Sequence, residues 1–140
     1  SDLSGTDLLH WDSSTSRLLA KAKFDWEVKI GGNTPPIRTP HGWMTIYHGK
    51  GPDGVYRLGA LLMDLRDPTR VTHRTRKWFL EPEHKYETDG CYDMGGVVFP
   101  CGAVVRDGML FVYYGGADKY VGVATAPMQA FMDNLLSCPE

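Results

Sequence analysis

Five side chains of this 140-residue chain have types and positions suited to holding a ligand: Lys29, His48, Tyr56, Tyr114 and Asp118. Lysine and protonated histidine give charge-assisted hydrogen bonds to anions, a tyrosine hydroxyl donates, and an aspartate accepts. Lys29 precedes the Gly31-Gly32 turn and Asp118 follows the glycines of YYGGAD, so both stand where backbone can approach a ligand closely. His48 is either a core ring satisfied by its neighbours or a group lifted to a rim by Gly49. The others have structural readings too: Lys29 as a solvated strand lysine, Tyr56 as a packing tyrosine, Asp118 as an Asx-turn residue. Glu83, Glu87, Asp89 and Asp93 crowd one loop. Paired carboxylates run glycoside chemistry, but a solvated acidic loop has the same composition. His10, His41, His73 and His84 lack ligand spacing with one another or with cysteines, so no metal site is expected. Nucleophile-elbow, P-loop and G-x-G-x-x-G signatures are absent.

The elements that must position these residues are short strands. Trp43, Thr45 and Tyr47 alternate with Met44, Ile46 and His48 at period 2, the pattern of a half-buried strand. The Asp53-Gly54 turn leads to VYRLGALLMDL, which ends before Asp67-Pro68, and VTHRTRKWFL follows as a polar edge strand. The second half repeats the plan with VVFPCGAVV, the Asp107-Gly108 turn, MLFVYYG and YVGVATA. Pairing Tyr47 with Tyr113 and Gly49 with Gly115, 66 residues apart, matches His48 to Tyr114 and sets both beside one axis. Tyr56 then matches Tyr120 at a spacing of 64. Repeated antiparallel units of this size are expected to be propeller blades, with a β-sandwich as the alternative. After Pro127 the period changes, and Met128, Phe131, Met132, Leu135 and Leu136 mark one face of a short helix.

The expected fold is all-β: antiparallel β-propeller blades with a short C-terminal helix, in one partial domain over residues 1–140. Residues 1–28 are read as the remnant of a preceding blade, 29–80 and 81–126 as two blades, and 127–140 as the helix. Such a piece cannot close a ring, which takes about four to eight blades. It is therefore expected to form a homo-oligomer or to join further N-terminal blades. A net charge of -2 and a pI near 6.2 give no basic excess for a nucleic-acid partner. No apolar run reaches the roughly 20 residues of a membrane span, so a soluble chain without a membrane partner is expected. Cys91, Cys101 and Cys138 are odd in number and lack C-x-x-C spacing, which fits free thiols in a reducing, cytoplasmic setting.

The segments KIGG-x-x-PPI-x-T-x-x-GW-x-x-x-YHG, YRLGALLMDLRDP, PEHKYE, VVFPCGAVV and YYGGAD together resemble the C-terminal part of glycoside hydrolase family 130, the β-mannoside phosphorylases and related glycosidases. The resemblance runs from about Lys29 to Ala126. It implies a five-bladed propeller with a central active site, and inverting phosphorolysis of β-mannosides to mannose 1-phosphate, with inorganic phosphate as co-substrate and no further cofactor. It also implies that Lys29, His48 and Tyr56 line the phosphate subsite, and that Asp118, with Tyr114 nearby, holds the sugar. Two departures stand out. No segment matches the family's general-acid aspartate or its two arginines, and Asn33-Thr34 and CYDMGG replace the usual residues before PPI and VVFP. The fragment is therefore expected to bind but not turn over substrate by itself, or to be a non-catalytic, self-assembling carbohydrate-binding module.

Overall fold

The computed structural model describes residues 14, 16–89 and 95–140. They form two antiparallel sheets and two helices, so the fold is all-β in its framework. The expectations for His10, Cys91 and Asp93 fall outside the described residues. No helix among the described residues is long and apolar enough to cross a membrane.

In the first sheet, β1 (Lys29–Gly32) and β2 (Ile37–Thr39) both pair with β3 (Gly42–Lys50), which pairs with β4 (Tyr56–Met63) and through it with β5 (Val71–Arg74). Pro35-Pro36 explains why the edge is broken into two strands, because proline has no N–H to give to the ladder. Thr34 bridges the break: its Oγ1 accepts from the Ile46 N–H at 2.9 Å, and its carbonyl accepts from the Thr45 hydroxyl at 2.8 Å. The second sheet is β6 (Val98–Arg106), β7 (Met109–Gly116) and β8 (Tyr120–Pro127) in simple order. Its first hairpin turns on Asp107 and Gly108, both at positive φ, as a two-residue turn matched to strand twist requires.

The sheets pack face to face. Met44, Ile46, Leu58, Ala60 and Leu62 from the first meet Val98, Leu110, Val112 and Tyr114 from the second. A short helix, α1 (Lys85–Thr88), lies between the sheets in the chain, and α2 (Met128–Leu136) closes the core with Met132 and Leu135. The apolar spacing after Pro127 thus does what it predicted.

The register corrects the repeat by one residue. Tyr47 lies opposite Gly59, and Tyr114 lies opposite Gly122. Each tyrosine ring crosses the strand where a glycine leaves room, since a Cβ at Gly59 or Gly122 would sit 2.5 Å from the ring's Cζ. The middle strands therefore correspond at a spacing of 67 and the next strands at 63, so Tyr114 matches Tyr47 and His48 matches Gly115. A slip of one exchanges the two faces of a strand, and the Tyr113-Tyr114 doublet is what hid it.

Each tyrosine ends on a buried glutamate. Tyr47 donates to Glu27 Oε1 at 2.7 Å, while the backbone N–H groups of Lys23 and Phe24 donate to Oε2. Tyr114 donates to Glu87 Oε1 at 2.5 Å, while those of Glu83 and His84 donate to Oε2. The same four groups thus tie the segment before each sheet to its middle strand. Burial, reinforced by the neighbouring carboxylate, pushes the Tyr114 hydroxyl up, so it stays protonated and donating. Burial likewise pushes Glu87 up, but the donated hydrogen bonds from His84, Tyr114 and Glu83 outweigh it and leave its carboxyl below the usual range.

One expectation is overturned here: the acidic loop is not wholly solvated, because Glu87 is 1% exposed and satisfied by those donors. The polar edge strand does lie at the sheet edge, but it is shorter than VTHRTRKWFL and its last residue is buried. Arg74 is 3% exposed and donates to both oxygens of Glu27, to Tyr47 and to the Lys21 carbonyl. An arginine can sit there because its planar fork meets a carboxylate with two parallel bonds.

Candidate anion site

Three strands of the first sheet bring the candidate residues together at one end. Lys29 on β1 lies opposite Lys50 on β3, and Lys50 lies opposite Tyr56 on β4. Residues paired across a sheet share a face, so these three form a row. The next row of that face is Gly31, His48 and Leu58. The ammonium groups of Lys29 and Lys50 stand 5.7 and 5.5 Å from the centroid of the Tyr56 ring. The His48 ring lies 5.5 Å from that of Tyr56 and 4.6 Å from that of Phe99, at the start of the second sheet.

His48 is oriented by Asn33, whose Oδ1 lies 2.5 Å from Nδ1. With a carbonyl oxygen as partner, Nδ1 carries the proton, and Nε2 keeps a lone pair for a ligand. The ring lies over Gly31, where an added Cβ would be 2.6 Å from Cε1 and 3.1 Å from Nε2. Gly31 is not at positive φ, so the conflict is purely steric. Gly31→Ala is expected to push His48 off Asn33 at a cost of about 1–3 kcal/mol, measured by urea unfolding. Wild-type stability in that variant would show that the ring is not held against the strand.

Burial lowers the pKa of His48, and the nearby charge of Lys29 lowers it further. The unfolded chain therefore binds more protons below the ordinary histidine value of about 6.5. Stability from this source is complete above that pH and is lost as pH falls through the lower, folded value. Melting temperatures from about pH 8 down to pH 5 should fall less steeply for His48→Gln than for the parent chain. Parallel curves would remove His48 from the acid limb.

The structure thus brings Lys29, His48 and Tyr56 together. Ala117, beside Asp118, is buried with Val97 in a small cluster on which Tyr56 and Phe99 pack, so the exposed Asp118 lies at the same end of the sheets. Asp118 is at positive φ, in keeping with a tight loop. Tyr114 is different: it is 3% exposed, with its hydroxyl on Glu87 and 3.1 Å from that of Tyr86. Lys50, Asn33 and Phe99 were not among the expected residues. Lys50 had a signal, since it follows His48 by two on the same strand and so shares its face. Among the described residues no group of three or more His, Cys, Asp or Glu is placed to hold a metal ion.

The chain is thus an all-β chain of paired antiparallel sheets, with two lysines, a histidine and a tyrosine gathered at one strand end. More closely, the sequence model described as beta-1,4-mannooligosaccharide phosphorylase matches residues 3–137, and the chain belongs to that family, glycoside hydrolase family 130. It is 47% identical over 105 residues to a 1,2-beta-oligomannan phosphorylase of Thermoanaerobacter sp. (strain X514), covering 74% of this chain and 35% of that protein. It is 49% identical over 100 residues to a beta-1,2-mannobiose phosphorylase of the same strain, covering 71% and 32%. Among solved structures, the beta-1,2-mannobiose phosphorylase of Listeria innocua in complex with beta-1,2-mannobiose superposes with a TM-score of 0.74 at 37% identity, covering 81% of this chain and 32% of that one. The chain therefore spans about a third of the length of these relatives.

Proposed function

We propose that these 140 residues carry the phosphate side, and part of the sugar side, of a site for inverting phosphorolysis of β-mannosides. The observation that carries this reading is the convergence of Lys29, His48 and Tyr56 from three strands onto one end of a sheet face. Phosphate held there is a nucleophile aimed at the anomeric carbon. Its attack breaks the glycosidic bond with inversion and forms mannose 1-phosphate, while a general acid protonates the leaving oxygen. Lysine charge holds the anion, and the His48 lone pair can accept the proton of hydrogen phosphate. Asp118 is the proposed sugar contact, and Tyr114 serves it indirectly by fixing the segment around Glu87 beside it. No segment of the sequence matches the family's general-acid motif, so the acid is proposed to come from outside these 140 residues.

The two sheets are proposed to be blades of a five-bladed ring, with residues 16–28 belonging to the edge of a preceding blade. The corrected repeat supports this. Met44, Ile46, Leu58 and Ala60, all fully buried against the second sheet, correspond to Phe111, Tyr113, Val121 and Val123. In the second sheet Tyr113 is 45%, Val121 82% and Val123 51% exposed. A further sheet on that face would bury them. On the opposite side of the first sheet, Phe24, Trp26, Arg57 and Trp78 border an open hollow of about 550 Å³ where a preceding blade would fit.

The test is complementation. The chain alone, given phosphate and β-1,2-mannobiose, should release no mannose 1-phosphate, and adding the N-terminal two-thirds of a family-length relative should restore it. No product after complementation, with both parts folded and associated, would overturn the catalytic reading. The exposed face also favours a second reading, a self-assembling module without turnover. Native mass spectrometry bears on it directly, since a stable monomer of 15.6 kDa would contradict self-assembly.

A further inference from the structure

We infer that Lys50 is a further anion-binding residue of this site, and that it and Lys29 form a two-lysine clamp selecting a doubly charged oxyanion. The inference rests on the phosphate reading above. Lys29 and Lys50 are direct cross-strand partners, and both ammonium groups stand over the one Tyr56 ring. Like charges placed opposite each other on a sheet repel and destabilise it. Among the described residues neither lysine has a carboxylate within ion-pair distance, whereas other cations of the sheet do: Arg57 pairs with Asp53 and Glu81, and Arg74 with Glu27. The sheet therefore sets two lysines beside one ring and pairs neither of them with a described carboxylate.

The third group of the cluster decides what charge fits. His48, two residues before Lys50 on the same face, is held by Asn33 with its free nitrogen as an acceptor. A neutral ring adds no third charge, so two lysines match a dianion. The acceptor nitrogen further suits an oxyanion that carries one proton of its own, which hydrogen phosphate does and sulfate does not. The Tyr56 ring attracts both ammonium groups without neutralising them.

The experiment is calorimetric titration of inorganic phosphate into the 140-residue chain, into Lys50→Met and into Lys29→Met, with a melt of each without phosphate. Charged hydrogen bonds contribute about 1.5–3 kcal/mol, so each substitution should weaken phosphate binding by roughly tenfold or more. Lys50→Met should also melt no lower than the parent chain in phosphate-free buffer, because it removes a like-charge contact, and Lys50→Arg should retain most of the binding. Wild-type affinity in Lys50→Met with weakened affinity in Lys29→Met would overturn the clamp and leave the phosphate site standing. A lowered phosphate-free melting temperature in Lys50→Met without loss of affinity would make Lys50 structural. Absence of saturable binding in the parent chain would overturn both the site and the clamp.

Discussion

Arg74→Met is expected to be the most destabilising single substitution in the first sheet, with a loss of about 3–5 kcal/mol. The guanidinium is 3% exposed, and removing it takes donors from both oxygens of Glu27, from Tyr47 and from the Lys21 carbonyl. What remains is a buried carboxylate that keeps only Tyr47 and two backbone N–H groups. An uncompensated buried charge costs more than the pair itself contributes, because desolvation was already incurred for both ions. For a chain of this size the loss is equivalent to a melting temperature lower by roughly 10–15 °C. The double variant Glu27→Leu with Arg74→Met should recover a large part of it, since no charge is left behind. A double variant as unstable as the sum of the singles would show that the pair is not coupled.

Gly59→Ala is expected to cost about 3 kcal/mol, against the usual sign for such a change. At an open strand position, alanine in place of glycine stabilises by about 0.4–1 kcal/mol through the unfolded chain. Here the new Cβ would lie 2.5 Å from Cζ and 2.6 Å from the hydroxyl of Tyr47, so the ring must leave its place. Once it moves, the hydroxyl leaves Glu27 and Arg74 together. Gly102→Ala is the internal control, since nothing lies within 4 Å of a Cβ there and the residue is not at positive φ. Denaturant midpoints that fall for Gly59→Ala and hold for Gly102→Ala would separate the steric cause from a general dislike of side chains in the sheet. Equal midpoints would show that Tyr47 does not depend on the gap opposite it.

These residues also show how far the sequence could be read. The period-2 run from Trp43 to His48, the Asp-Gly turns and the apolar spacing after Pro127 are local patterns, and they correspond to β3, the hairpins and α2. Lys29 and His48 could be singled out because their residue types suit an anion, although the Gly31-Gly32 pair that reads as a turn lies within β1, paired with His48 and Tyr47. Lys50 reads in the sequence as the first residue of the KGPDG turn, although its parity with His48 puts it on the same face of β3. The buried glutamates could not be found from burial propensity, which places Glu at the surface. Their signal was the aromatic-Glu dipeptide, Trp26-Glu27 and Tyr86-Glu87, 60 residues apart. The one-residue error in the repeat had the same origin. Spacing alone cannot say which tyrosine of a Tyr-Tyr pair turns inward, whereas the opposed glycine does.

The central claim is that phosphate binds beside His48, at the end of the sheet where Lys29 and Tyr56 meet. Nuclear magnetic resonance of the histidine Cε1–Hε1 signals, titrated with phosphate at constant ionic strength, tests this residue by residue. In the free chain His48 should titrate below the ordinary histidine range, as burial and Lys29 require. Saturating phosphate should raise that value, because a bound dianion favours the protonated ring. A His48 signal that ignores phosphate, or one that moves no more than those of His41 and His84, would contradict the site.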